Sequence, residues 1–195
     1  MDRTKLKIQA KEAIQGKIFT VFALSILVGI VIGLVGLIPV VGSIATILIA
    51  GPLAFAWCKI YLGILHKKEQ PKVEDLLAGV KDDNFMRTFV AYLRMAVFTF
   101  LWSLLFVIPG IIKSISYSQM FYLMAKDKKL EAAEAQIKSM EMMEGHKMEY
   151  FILNLSFIPW FLLCGLTLGL AAIYVMPYYN ATFAAFHEKL AKKSE

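Results

Sequence analysis

Six apolar segments, arranged as three pairs with very short connections, constrain this chain more than any other feature of its sequence. We place them at residues 18–38, 41–65, 89–108, 111–125, 149–165 and 167–187. The first is 21 residues long and uncharged, which at 1.5 Å per residue is enough to cross a hydrocarbon core of about 30 Å. Because lipid accepts only segments whose backbone groups bond one another, the pattern predicts an all-α, polytopic membrane helix bundle of about six transmembrane helices.

Charge is confined almost entirely to the stretches outside and between these pairs. All but three of the 21 Lys and Arg lie in the two tails, in residues 66–87 or in residues 126–147. The positive-inside rule puts these stretches on the cytoplasmic side, which predicts a multi-pass protein of the cell membrane with both termini cytoplasmic. We therefore expect the net charge of +6 to meet the anionic headgroups of the lipid bilayer, and not nucleic acid.

Each pair of spans is preceded by a charged segment with helical spacing of apolar residues. These segments are the N-terminal stretch, residues 72–81 and residues 128–145, and we expect them to be amphipathic helices in the membrane interface. In the third, the apolar set is Leu130, Ala133, Ile137, Met140 and Met143. Proline and glycine break the paired spans at Pro39, at Pro109-Gly110 and at Gly165 with Gly169.

The order of surface helix and hairpin occurs three times within a single integral membrane domain, residues 1–195. The repeats are residues 5–68, 72–129 and 130–193, and they predict a bundle with pseudo-threefold symmetry. Two local matches support the repeat. Gly16-Lys17 resembles Gly145-His146, and Pro52 and Pro177 precede lysine pairs by the same interval.

Two stretches of the chain carry a family resemblance. Residues 101–118 include the sequence Ile-Pro-Gly at positions 108–110, and residues 139–163 include Ser-Met-Glu-Met-Met-Glu-Gly-His-Lys followed by Phe-Ile-Leu-Asn-Leu-Ser-Phe-Ile-Pro-Trp. In these stretches the chain resembles the bacterial integral membrane proteins grouped as the domain of unknown function DUF975. The resemblance implies a membrane fold and supplies no catalytic residue.

Three basic residues lie within the predicted spans: Lys59, Arg94 and Lys113. A charge in lipid is costly and normally faces a partner or a cavity. One interpretation is that the long side chains reach the headgroups at the membrane surface. The other is that they line an interior that binds anions.

The fourth span is the most polar, and three of its residues, Lys113, Ser116 and Tyr117, fall on one helical face. This face, like Asn154 in the fifth span, is suited either to hydrogen bonds between helices or to contact with a substrate. The candidate ligand-binding residues are Lys59, Arg94, Lys113, Ser116, Tyr117 and Asn154.

The sequence contains none of the usual catalytic motifs, and Cys58 and Cys164 have no metal-binding spacing. We therefore expect no enzymatic activity, no cofactor and no metal. The leading hypothesis is a membrane protein that handles or transports an anionic or amphipathic molecule. The alternative is a scaffold or accessory protein that binds anionic lipid and a protein partner or a second copy of itself. The last two pairs have spans at the short end for a bilayer, and their hairpins are compatible with full crossing or with re-entrant hairpins.

Overall fold

The computed structural model describes residues 3–38, 40–67, 70–81, 84–105 and 107–194. Every regular element in these ranges is helical. The elements are α1 (Arg3–Ile14), α2 (Ile18–Gly36), α3 (Val41–Lys67), a 3-10 helix (Val73–Gly79), α4 (Asn84–Leu105), α5 (Val107–Tyr117), α6 (Met120–Lys126), α7 (Ala132–Met142), α8 (Lys147–Leu155), α9 (Ile158–Leu166) and α10 (Ala172–Ser194).

Four helical stretches are long and apolar enough to cross a membrane: Ile18–Gly36, Val41–His66, Asn84–Leu104 and Lys147–Leu166. In the most apolar part of each stretch, the share of residues buried inside the protein is small and ranges from 11% in α2 to 28% in α3. Long apolar helices that the protein leaves uncovered require a surrounding apolar phase. The fold therefore indicates a membrane location and confirms the prediction of an all-helical protein.

The other two predicted spans do not meet the criterion of length and hydropathy, so the count of six is not confirmed. Residues 111–125 are divided between α5 and α6 by a break at Ser118 and Gln119, and residues 167–187 correspond to a turn followed by α10. Both stretches are more polar than the four candidates, and several of their polar side chains are buried inside the protein, namely Ser116, Gln119, Thr182 and His187. Eight consecutive residues of α10, from 181 to 188, are buried.

The hairpin turns differ from those predicted. Pro109 and Gly110 lie in the first turn of α5, where proline is tolerated, and not in a turn between two helices. Gly110 is instead a point of close approach, since an added Cβ would collide with Ser103 of α4. Gly169 does form a turn, with φ +90°, whereas Gly165 remains helical. Pro39 lies outside the described residues.

The three predicted surface helices are present, but the second is a 3-10 helix and is shorter than expected. In α1, Leu6, Ala10 and Ile14 are buried, as the spacing predicted. In α7 the protein-facing side includes Gln136 and Ser139, and Ile137 is 56% exposed. The polar side chains of α7 face inward because they hydrogen-bond to α4, α5 and the α5–α6 break.

The core is built around α10, which packs against α1, α2, α3, α7 and α9. Its first large group of buried residues includes Ile14, Tyr61, Leu153, Phe157 and Phe186. A second group, around Phe55, Met120 and Met124, joins α3 to α4, α6 and α7. The outer halves of the three hairpins extend beyond these groups and are exposed.

Candidate functional site

The three basic residues of the predicted spans lie in separate surroundings. Lys59 is exposed on α3. The Arg94 Nε donates to Gln136 Oε1 of α7 at 3.1 Å, and the Lys113 ammonium lies 4.8 Å from the centre of the Trp102 ring. Arg94 and Lys113 are therefore stabilised locally, and no described contact brings the three cations together around one ligand.

Lys59 lines two adjoining cavities at the end of the bundle that carries the charged connections. The larger, of about 280 Å³, also meets His66, Asp75 and Lys126. The smaller, of about 200 Å³, shares Lys59 and Asp75 and adds Lys128. This end of α3 offers a mixed but mainly cationic surface.

An ion-pair bridge closes one side of the larger cavity. The carboxylate of Glu188, at the end of α10, lies 2.8 Å from His66 Nε2 and 2.8 Å from Lys126 Nζ. Burial alone would raise the pKa of this carboxyl, but Lys126 and His66 hold its pKa below the ordinary value. Glu188 thus ties α10 to both α3 and α6.

Ser116 and Tyr117 are buried inside the protein. The break that follows them is closed by Ser139 of α7. Its hydroxyl donates to the Ser116 carbonyl at 2.7 Å and accepts from the Gln119 N–H at 3.2 Å. Two backbone groups left without helical partners are thereby paired in the interior.

Asn154 makes its hydrogen bonds within the protein. Its Oδ1 accepts from the Tyr179 hydroxyl at 2.7 Å, and its Nδ2 donates to the Tyr150 carbonyl at 3.0 Å. The first of these bonds joins α8 to α10. Of the two interpretations of Asn154, the geometry matches the bond between helices.

A crevice of about 510 Å³ opens between α2, α3 and α10. Its walls are mostly apolar and include Phe22, Val28, Trp57 and Met176. Three sides of it are thus formed by two candidate membrane helices and the central helix. The volume lies within the range of sites for small-molecule ligands.

Polar groups gather on one side of this crevice. They are Ser25, Cys58, Tyr61, Tyr122 and Asn180. Three hydroxyls and one amide in this group can donate to or accept from the polar end of a bound molecule. An apolar slot with a few hydrogen-bonding groups at one end fits an amphipathic molecule.

His187 stands directly behind the crevice and was missed by the sequence analysis. It is fully buried, its ring stacks on Tyr122 with centroids 5.0 Å apart, and its Nδ1 lies 3.1 Å from Gln119 Oε1. Because an amide oxygen only accepts, Nδ1 carries the proton. Nε2 then is an acceptor without a hydrogen-bond partner among the described residues. The available signal was an ionisable residue inside a predicted span.

A model of the family described as "Protein of unknown function (DUF975)" matches residues 1–116 and 104–194. The chain belongs to the DUF975 family. No curated protein matches this DUF975 chain, and no solved structure does.

Several residues in the stretches that resemble the family have structural roles in this DUF975 protein. Gly110 allows α5 to lie against Ser103, and Ser139 closes the break between α5 and α6. Gly145 has φ +73°, a conformation that favours glycine, and it turns the chain from α7 into α8. None of these positions lines the crevice.

Proposed function

We propose that this protein binds and handles an amphipathic molecule in the crevice between α2, α3 and α10, without enzymatic activity. The observation that most supports this proposal is the lining of the crevice, which combines apolar walls with the polar side chains of Tyr61, Tyr122 and Asn180. An acyl chain or another apolar tail suits the walls, and its polar end suits these side chains.

Access from the membrane supports the same proposal. Gly29 lines the crevice on α2, and a Cβ built there meets nothing within 4 Å. Neighbouring Ile26 and Ile30 are exposed and face the proposed lipid phase. A lipid-soluble ligand therefore has a route into the crevice between helices that does not cross water.

Filling the crevice tests the proposal. Gly29→Leu adds a branched side chain inside it, and Gly33→Leu adds the same side chain one turn away on α2, also in open space. Both changes replace glycine in the same helix, so they share the effect on helix propensity. Binding of cis-parinaric acid by the purified protein, followed by fluorescence, should fall at least tenfold in Gly29→Leu and stay near wild type in Gly33→Leu. Equal binding by both variants and wild type would refute the crevice as the site.

For the topology, we propose six crossings in the cell membrane with both termini cytoplasmic. The combined length of α5 and α6, residues 107–126, is about 30 Å at 1.5 Å per residue, enough to cross once. With α10 as the last crossing, the chain alternates sides and every lysine-rich connection lies on one side. The polarity of these stretches is compatible with crossing because protein, and not lipid, covers polar side chains such as Ser116, Gln119 and His187.

We also propose that the chain is built from three related units. Each surface helix packs on the second helix of another hairpin: α1 on α10, the 3-10 helix on α3, and α7 on α6. Such a cyclic order is what a pseudo-threefold axis produces. Gly16 and Gly145, with φ +77° and +73°, occupy the same position between surface helix and span. Pro52 and Pro177 both lie within the returning helix.

A membrane scaffold or accessory role is the second candidate, and the glycine face of α2 favours it. A Cβ added at Gly33 or Gly36 has no atom within 4 Å, so no neighbouring part of the described chain packs against these two positions. Small residues of this kind let a second helix approach closely. A scaffold predicts that Gly33→Leu disrupts co-purification of a partner or a second copy while fatty-acid binding stays intact.

A further inference from the structure

A separate cavity, of about 320 Å³, lies where α1 crosses the bend between α8 and α9. Three cations of α1, Arg3, Lys7 and Lys11, line one side of it, and Ser156 and Tyr178 line the other. The cations stand four residues apart, so they share one face of the helix. This face adjoins the buried side of α1, which Leu6, Ala10 and Ile14 form.

The bend itself shapes the site. Pro159 near the start of α9 cannot donate to the ladder, and the helix breaks at Ser156 and Phe157. The freed Ser156 carbonyl accepts from Lys7 Nζ at 3.4 Å, and the ammonium also lies 4.6 Å from the centre of the Phe157 ring. Lys7 is thereby held at the cavity and not free in solvent.

The charge at this cavity is not balanced. The described residues that line it include three cations and no Asp or Glu. Burial, and then the nearby charge of Arg3, lower the pKa of Lys7, as expected for a cation crowded by another cation. Like charges four residues apart on a helix repel each other, so an anion in the cavity would relieve a repulsion that the chain leaves in place.

We propose that this cavity binds a phosphate-bearing anion, and that in the membrane the anion is the headgroup of an acidic phospholipid. The position favours a headgroup, because α1 leads through the turn at Gly16 directly into the first membrane helix and its Ile8, next to the cations, is 51% exposed. The inference rests on the membrane location and not on occupation of the crevice.

The full-length protein in nanodiscs tests the proposal. Discs of phosphatidylcholine containing a minority of phosphatidylglycerol are compared with discs of phosphatidylcholine alone, and bound lipid is counted by native mass spectrometry after release. Lys7→Gln and Lys11→Gln should each lower retention of phosphatidylglycerol about fivefold, as expected for one surface cation near an anionic headgroup. Lys138→Gln, which removes an exposed cation from α7, should leave retention of phosphatidylglycerol unchanged. Lys7→Arg keeps the positive charge and should retain most of the phosphatidylglycerol that wild type retains.

A parallel titration separates the two sources of phosphate. Inorganic phosphate is added to the protein in a neutral detergent and binding is followed by calorimetry. Heat of binding that disappears in Lys11→Gln assigns the site to free phosphate, whereas lipid retention without such heat assigns it to the headgroup. Equal lipid retention by Lys11→Gln, Lys138→Gln and wild type, together with no heat, would overturn the site. Loss of retention in all three variants alike would also overturn it, because that result reports surface charge in general. Lys11 is exposed, so its variant remains informative if Lys7→Gln does not fold.

Discussion

Removing the Ser139 hydroxyl should destabilise the bundle more than its size suggests. Ser139 is fully buried, and Ser139→Ala leaves both the Ser116 carbonyl and the Gln119 N–H without their partner. An unsatisfied buried polar group costs about 1–3 kcal/mol. At the lower end for each of two groups, the loss is about 2 kcal/mol, which lowers the Tm of a chain of this size by about 4–8 °C.

The assay is thermal unfolding of the purified protein in one detergent, followed by tryptophan fluorescence. The matched control is Ser114→Ala on α5, whose hydroxyl donates to the Ile111 carbonyl at 2.9 Å on an exposed surface. The Ser114 side chain is exposed and its hydrogen bond stays within one turn of α5, so its loss leaves no buried group unpaired and we expect a change below about 0.5 kcal/mol. If Ser139→Ala and Ser114→Ala unfold at the same temperature, the break between α5 and α6 is not held by α7, and the reasoning is wrong.

Two further substitutions test other close contacts. Gly79→Ala should lower stability by about 1–3 kcal/mol, because an added Cβ collides with the Pro52 carbonyl. Gly63→Ala should be neutral or stabilising, because no atom lies within 4 Å of a Cβ added there. Denaturation in detergent measures both variants, and equal effects would contradict the close approach of Gly79 to Pro52. Glu188 has a lowered pKa in the folded protein, so its carboxylate contributes stability above the ordinary value of 4.5 that is lost as pH falls through the folded value. Glu188→Gln should therefore be less stable than wild type near neutral pH and should lose less stability on acidification. The control variant Glu134→Gln should follow wild type. Parallel curves of Tm against pH for Glu188→Gln and wild type would contradict the ion-pair bridge from Glu188 to His66 and Lys126.

The sequence predicted helices well where burial follows a simple period or where lipid sets the composition. The first two spans, at residues 18–38 and 41–65, correspond to α2 and α3, and α1 buries the face that its spacing indicated. The α5–α6 break and the fold of α7 over it could not be predicted this way. They depend on a hydrogen bond between Ser139 and residues 20 or more positions away, and no periodicity encodes such a pairing.

The candidate site was harder to predict than the fold, for a related reason. Cations inside spans are conspicuous in a sequence, but Arg94 and Lys113 are stabilised by Gln136 and Trp102 close by. The crevice is lined by ordinary residues, such as Gly29, Trp57 and Asn180, that only the packing of three helices brings together. Recognising them requires the crossing of α2, α3 and α10, which is a property of tertiary structure.

The central claim is that apolar hairpins cross a membrane and leave their charged connections on one side. Single-cysteine accessibility in intact cells tests it directly, in a background where Cys58 and Cys164 are replaced by alanine. Leu168, which is 96% exposed, lies in the turn between α9 and α10, and Lys129 lies in the exposed connection before α7; each is replaced by cysteine in turn. A membrane-impermeant maleimide should label Leu168→Cys from outside and label Lys129→Cys only after the membrane is opened. Labelling of both cysteines from the same side would contradict the account.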